Sequence, residues 1–213
     1  MKLAVRGLCK RLAARAVLRD LQLDCGDGDC VVVLGENGSG KSTLLRLLAG
    51  IFEPDRGQIH IDGHELRGGG VLARQQLAYV PDASDPLPDL TVREFLSLVA
   101  ALKQAALPDL ALMARLHVDA TLDQRLTSLS FGQRKRACLL AASIGDPWLW
   151  LLDEPSNGID PEGVALIQQL LTERQRRGQA TVLATNDQPF AAALSTACAA
   201  RVLRLVDGHL TDS

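Results

Sequence analysis

Residues 33–45 read "VLGENGSGKSTLL", and the fold turns on how this stretch is built. An apolar run, "VVVL" at 31–34, ends in a glycine-rich segment that opens onto "TLLRLLAG", a helix-like apolar pattern. "GENGSGKS", from Gly35 to Ser42, matches G-x-x-x-x-G-K-[ST] in the strand–loop–helix context that the motif needs. Glycine lets the backbone wrap closely, so successive N–H groups point into one concavity. The start of the following helix adds positive potential there. Gly35, Glu36, Asn37, Gly38, Ser39 and Gly40 are therefore read as a phosphate cradle. Lys41 is expected to reach the β- and γ-phosphates, Ser42 to hold Mg²⁺, and Thr43 to touch an α-phosphate oxygen.

Further short apolar runs lie on either side: 3–8, 17–23, 58–61, 77–80, 149–152, 181–184 and 202–206. Those at 31–34, 149–152 and 181–184 are continuously apolar, as parallel strands covered on both faces are. The early runs alternate and are joined by turn residues such as "CGDGD", which predicts antiparallel pairing. From Thr91 to about Ile144 the periodicity is helical, and Thr91 with Glu94 fits a capping box. The pattern predicts an α/β core interrupted by a helical subdomain.

The chain has 213 residues, which suits one domain or one core carrying a smaller subdomain. Net charge is −2 with signs interspersed, so no basic face marks a nucleic-acid partner. Five cysteines, an odd number without a CxxC pair, argue against zinc or a disulfide framework and for a reducing compartment. No charged-then-apolar leader is read at the N-terminus, and no apolar stretch approaches the ~18–20 residues that a spanning helix needs. A membrane role is expected to come through a partner.

"LWLLDEP", Leu149 to Pro155, is a buried strand ending in two carboxylates. Ligands of parallel sheets bind at the carboxyl ends of strands, so both acids are expected near the phosphate loop. Asp153 is placed to hold Mg²⁺ and Glu154 to orient and deprotonate an attacking water. "VLATNDQ" at 182–188 is a second such strand end, carrying Asn186 at its tip.

Several further segments then fall into a known order. "LSFGQRKR" (Leu129–Arg136) resembles the LSGGQ signature of the ATP-binding cassette family, and "EPSNGID" (Glu154–Asp160) resembles its D-loop. "YVPD" (Tyr79–Asp82) lies where that family has its Q-loop, and "VLATND" where it has its switch histidine. "YVPD" followed by "LTVREFL" is most similar to transporter ATPases of the ABC-2 type. The resemblance covers almost the whole chain. It implies a single nucleotide-binding domain over residues 1–213, with a P-loop NTPase core of mostly parallel sheet and an N-terminal antiparallel β subdomain at 1–81 and 145–213. The helical signature subdomain is expected at 82–144. It also implies ATP with Mg²⁺, a second ABC ATPase subunit, like or unlike, and a separate transmembrane permease that holds the chain on the cytoplasmic face of the membrane. Two domains would sandwich ATP head to tail, so that Ser130, Gly132 and Gln133 act on the partner's nucleotide. Ser130 is equally a plain helix cap. Asp160 is read either as a residue at the dimer seam or as the N-cap of "PEGVALIQQLL".

Four positions depart from the family. Phe131 replaces the first glycine of the signature, and is accommodated if its ring points away from nucleotide. Asp82 replaces the Q-loop amide: a carboxylate can still hold Mg²⁺ but cannot donate a hydrogen bond. Leu12 stands where an aromatic ring stacks on adenine. Asn186 replaces the histidine that contacts the γ-phosphate; it can donate one amide hydrogen bond but cannot carry a proton. Slow but non-zero hydrolysis is expected, with Glu154 as the base. The rival class, a soluble cassette ATPase acting on ribosomes or DNA, usually has tandem cassettes, long coiled-coil insertions or basic surfaces, and none of these is seen in the sequence.

Overall fold

The computed structural model describes residues 2–68, 70–82, 87 and 89–212. In chain order the elements are β1 (Lys2–Leu12), β2 (Arg15–Gly26), β3 (Cys30–Leu34), α1 (Lys41–Leu48), β4 (Arg56–Ile61), β5 (His64–Glu65), α2 (Val71–Gln75) and β6 (Leu77–Val80). Then come α3 (Val92–Lys103), α4 (Leu110–Arg115), α5 (Phe131–Ser143), β7 (Leu149–Asp153), α6 (Pro161–Arg176), β8 (Ala180–Thr185), α7 (Gln188–Cys198), β9 (Arg201–Val206) and β10 (His209–Asp212).

The alternating N-terminal strands form an antiparallel sheet in the order β2-β1-β4-β5. The continuously apolar strands form the second sheet, β10-β9-β3-β8-β7-β6, in which every pair but β10–β9 is parallel. Every residue of β3, β7 and β8 is buried, because helices or the first sheet cover both faces. One face of this sheet packs Val31, Val33, Leu149, Leu151 and Val182 against α1 and the first sheet. The other face packs Val32, Trp150, Leu152 and Leu183 against α5, α6 and α7. The α/β class and the split between antiparallel and parallel strands thus agree with the hydropathy pattern.

The helical stretch builds its own core from Val92, Leu96, Met113, Leu116, Leu126 and Leu140. Its helices start where the sequence supplies caps. Thr91 and Glu94 form the expected reciprocal box, with Thr91 Oγ1 accepting from the Glu94 N–H at 3.2 Å. Asp160 caps α6, accepting from the Gly163 N–H at 2.8 Å with Pro161 in the first turn. α1 differs: it begins at Gly40, with no side chain capping its first turn. Its N-terminal N–H groups are left for something outside the helix.

Strand order places the site. β8 lies between β3 and β7, and the ends are level: Leu34 pairs with Thr185, and Asp153 with Ala184. The phosphate loop, the residues after Thr185 and the carboxylates after Leu152 therefore leave the sheet side by side.

Candidate nucleotide site

The phosphate loop is shaped by two glycines that nothing larger could replace. A Cβ on Gly35 would stand 2.6 Å from Ser39 Oγ. Gly40 has φ +110°, and a Cβ there would stand 2.7 Å from Val17 of β2. Lys41, buried, folds over the loop and donates to the carbonyls of Gly35 (2.7 Å) and Glu36 (3.1 Å). Its Nζ lies 3.4 Å from Glu154 Oε1. The loop residues Gly35, Glu36, Asn37, Gly38 and Ser39 line a cavity of about 790 Å³. Thr43 is buried in the first turn of α1.

Glu154 is held from every side. Its N–H donates to the Ala184 carbonyl at 2.8 Å. Its Oε2 accepts from Thr185 Oγ1 (2.9 Å) and from the Asn186 N–H (3.1 Å). Asn186 Nδ2 donates to Asn37 Oδ1 at 3.0 Å, so the tip of β8 bridges the acidic strand end and the phosphate loop. Thr185, which the sequence reading passed over, is part of this array; a hydroxyl at the end of an apolar strand was its only signal.

Asp153 lies on the α1 side of the sheet and is 2 % exposed, yet its Oδ1 has no hydrogen-bond partner among the described residues. Burial raises its pKa above the usual carboxylate value, and a hydrogen bond from the Ser42 hydroxyl opposes the rise. A buried, unsatisfied carboxylate oxygen is costly unless a cation meets it. Hard oxygen donors from Asp153 and Ser42 suit Mg²⁺. Asp82, the third expected metal residue, has one carboxylate oxygen engaged: its Oδ1 accepts from Lys135 Nζ (3.3 Å) and from Asn157 Nδ2 (3.2 Å).

Leu12 does not reach the cavity wall. It is 41 % exposed at the end of β1, opposite Arg15 in the hairpin register, and the second strand faces the loop instead. Arg15, Ala16 and Val17 line the cavity there, with Arg204 to Val206 from the end of β9, Asp207 and Gly208 from the β9–β10 turn and Gln188 from α7. Ser130 and Gln133 are engaged with each other at the start of α5: Ser130 Oγ accepts from the Gln133 N–H (3.2 Å), and Gln133 Oε1 from the Ser130 N–H (2.9 Å). Neither they nor Gly132 line the cavity of their own chain. The Phe131 ring packs on Gly158, where a Cβ would stand 2.5 Å from the ring. Asp160 also accepts from Arg136 at 2.8 Å.

Residues 18–157 match the family of ABC transporters. The chain belongs to that family. The match covers most of the chain and ends just beyond Glu154, so it contains the phosphate loop, the signature and the acidic strand end.

Relatives and solved structures agree. The chain is 38 % identical over 187 residues to the cytochrome c biogenesis ATP-binding export protein CcmA of Cupriavidus necator, covering 86 % of this chain and 82 % of the relative. It is 34 % identical over 193 residues to the Nod factor export ATP-binding protein I of Bradyrhizobium diazoefficiens, covering 87 % of this chain and 62 % of that relative. The chain thus spans less than two thirds of the length of the Nod factor export relatives. It superposes on the ATP binding subunit of an ABC transporter with a TM-score of 0.89 at 28 % identity, over 99 % of this chain and 88 % of the other. A dimeric ATP-binding cassette in a post-hydrolysis state, bound to ADP and Pi, gives 0.86 at 22 % identity, over 98 % and 96 %, and supports the fold. The α/β chain is an ABC ATPase domain.

Proposed function

We propose that this ABC ATPase domain binds and hydrolyses ATP to drive export through a separate membrane permease, paired with a second ABC ATPase subunit. The observation that carries the reading is the Lys41–Glu154–Thr185–Asn186 array at the level ends of three parallel strands. The phosphate loop would bind the β- and γ-phosphates through its N–H groups and Lys41. The Glu154 carboxylate, fixed by Thr185 and the Asn186 N–H, would orient water and take its proton as general base. The Asn186 amide can exchange its bond to Asn37 for one to a γ-phosphate oxygen. Ser42 and Asp153 would hold Mg²⁺, which when bound neutralises phosphate charge and polarises the γ-phosphoryl group. Arg15 and Val17 would face the ribose and base.

Export is supported by the names of the CcmA and Nod factor relatives, both called export ATP-binding proteins. No helix among the described residues is long and apolar enough to cross a membrane. Ser130, Gly132 and Gln133, standing outside their own chain's cavity, would close on the nucleotide of the second subunit. Residues 82–95, "DASDPLPDLTVREF", would form a lip that receives the permease; of these, 83–86 and 88 lie outside the described residues.

The test is ATP turnover by the purified chain and by Glu154→Gln. Turnover should fall by about 10²–10⁴-fold in the variant while ATP still binds, as expected when a general base is removed. With ATP and Mg²⁺ the variant should run as a dimer on size exclusion. Normal turnover in the variant would falsify the assignment of the base. Co-purification with a multi-span membrane protein tests the transport half, and salt-sensitive sedimentation with ribosomes would point to the rival class.

A further inference from the structure

Lys135 lies in the second turn of α5 and is 1 % exposed. Lysine is almost never buried so fully unless its charge is met. Here the ammonium meets three oxygens from two other segments of chain. Nζ donates to the carbonyls of Glu154 (2.7 Å) and Asp153 (3.2 Å) and to Asp82 Oδ1 (3.3 Å). The Phe131 ring centroid lies 5.5 Å away on the same helix.

The carbonyls that Lys135 grips belong to a strained turn. Glu154 has φ +45°, a left-handed conformation that a non-glycine residue keeps only where its surroundings enforce it. On the amino side, the Glu154 N–H is tied to the Ala184 carbonyl. On the carboxyl side, the Glu154 carbonyl accepts from the Asn157 N–H at 3.1 Å within the turn and, at 2.7 Å, from Lys135, the donor that comes from another element. Without Lys135 the carbonyl would keep only the local Asn157 donor, the strained turn would be held less firmly, and the carboxylate would be aimed less tightly at Lys41 and β8.

We propose that Lys135 is a positioning residue for hydrolysis: its ammonium clamps the Asp153–Glu154 turn so that the Glu154 carboxylate stays aimed at the nucleotide. The clamp also makes the helix that carries the signature and the turn that carries the base one mechanical unit. A shift of α5 would then be felt at Glu154 directly, without passing through the sheet. The inference rests on the reading of Glu154 as the general base.

The experiment first establishes that the parent hydrolyses ATP and that Glu154→Gln does not; if that fails, the reading of the base is at fault, whatever Lys135 does. Lys135→Met and Lys135→Gln are then compared for kcat and for equilibrium ATP binding. The methionine variant should lose at least tenfold in kcat while ATP affinity changes less than threefold. The glutamine variant, which keeps N–H donors for the carbonyls, should recover most of the rate. Recovery by glutamine decides the matter even where the methionine variant fails to fold. The Lys135→Met loss should persist in an Asp82→Asn background. If Lys135→Met costs nothing there, Lys135 merely neutralises Asp82 and the proposal is overturned. It is also overturned if both variants keep the parent kcat, or if both lose ATP binding together with rate.

Discussion

Asn186 Nδ2 donates to Asn37 Oδ1 at 3.0 Å, so a neutral amide pair joins the tip of β8 to the phosphate loop. The backbone N–H of the same Asn186 holds Glu154 Oε2. One residue thus touches both the cradle and the proposed base, without a proton to lend. An imidazole at this place would add a titratable group beside the γ-phosphate.

Asn186→His should therefore raise kcat by roughly 10²-fold or more, as positioned acid–base groups contribute about 10²–10⁴-fold. It should also introduce a pH limb near the ordinary histidine pKa, about 6.5, that the parent lacks. Steady-state turnover between pH 5.5 and 8.5 checks both. An unchanged or lower rate in the variant means that the amide is not what limits hydrolysis.

Arg15 and Val17, not Leu12, face the loop across the cavity. A guanidinium can lie flat on any nucleobase, and such contacts are worth about 0.5–2 kcal/mol. Arg15→Ala should weaken ATP binding by roughly three- to tenfold, whereas Leu12→Ala should change it by less than about twofold. The two titrations with a fluorescent ATP analogue separate these walls. A larger loss at Leu12 would restore it as the base contact.

The contrast between these residues shows what the sequence could disclose. Strand type was legible because burial on both faces leaves an uninterrupted apolar run, as in 149–152, while half-exposed strands alternate. The phosphate loop and Asp153–Glu154 were legible because each sits directly after such a run. The short β5 and α2 were not legible, since two and five residues carry no period. Leu12 was placed by a family position, whereas its hairpin partner Arg15 is the residue of that pair that lines the cavity, a matter of tertiary placement. Lys135 looked like one of three consecutive cations in "RKR"; nothing local says that the middle one is buried. The commitment of Asp82 to Lys135 was hidden for the same reason, since its partner lies 53 positions away.

Phe131 and Gly158 are coupled across the seam between α5 and the loop after β7. Gly158 has φ +67°, and a Cβ there would stand 2.5 Å from the Phe131 ring. Gly158→Ala should destabilise the protein through left-handed strain and overpacking, about 1–3 kcal/mol or roughly 2–10 °C in Tm. Phe131→Ala in the same chain should relieve the overpacking and leave the strain, so the double variant should lose less than the two single losses combined. Additive losses in thermal melts would show that the ring does not press on Gly158.

Asp153 carries the cost of being ready for a metal. Its Oδ1 is buried without a hydrogen-bond partner among the described residues, and burial holds its pKa above the unfolded value. For a carboxyl raised in this direction the sign is unusual. Below the unfolded pKa, about 3.9 for Asp, the group is neutral in both states and costs nothing. As pH rises from there through the folded pKa, the unfolded chain releases its proton first and stability falls. At neutral pH the folded protein then holds a buried carboxylate that the Ser42 hydroxyl and the Lys135 charge offset only in part. Asp153→Asn should remove that charge and stabilise the metal-free protein by about 1–2 kcal/mol, roughly 2–8 °C in Tm. It should also flatten the loss of stability just above the ordinary carboxylate pKa. With Mg²⁺ and ATP the order should reverse, because binding to the native state stabilises it by mass action and the variant lacks the anionic oxygen that Mg²⁺ prefers. Melting curves of both proteins, with and without Mg²⁺ and ATP, give all four numbers. A variant that melts below the parent in the absence of metal would mean that the Asp153 carboxylate is already compensated by its neighbours, and its reading as a waiting ligand would fall.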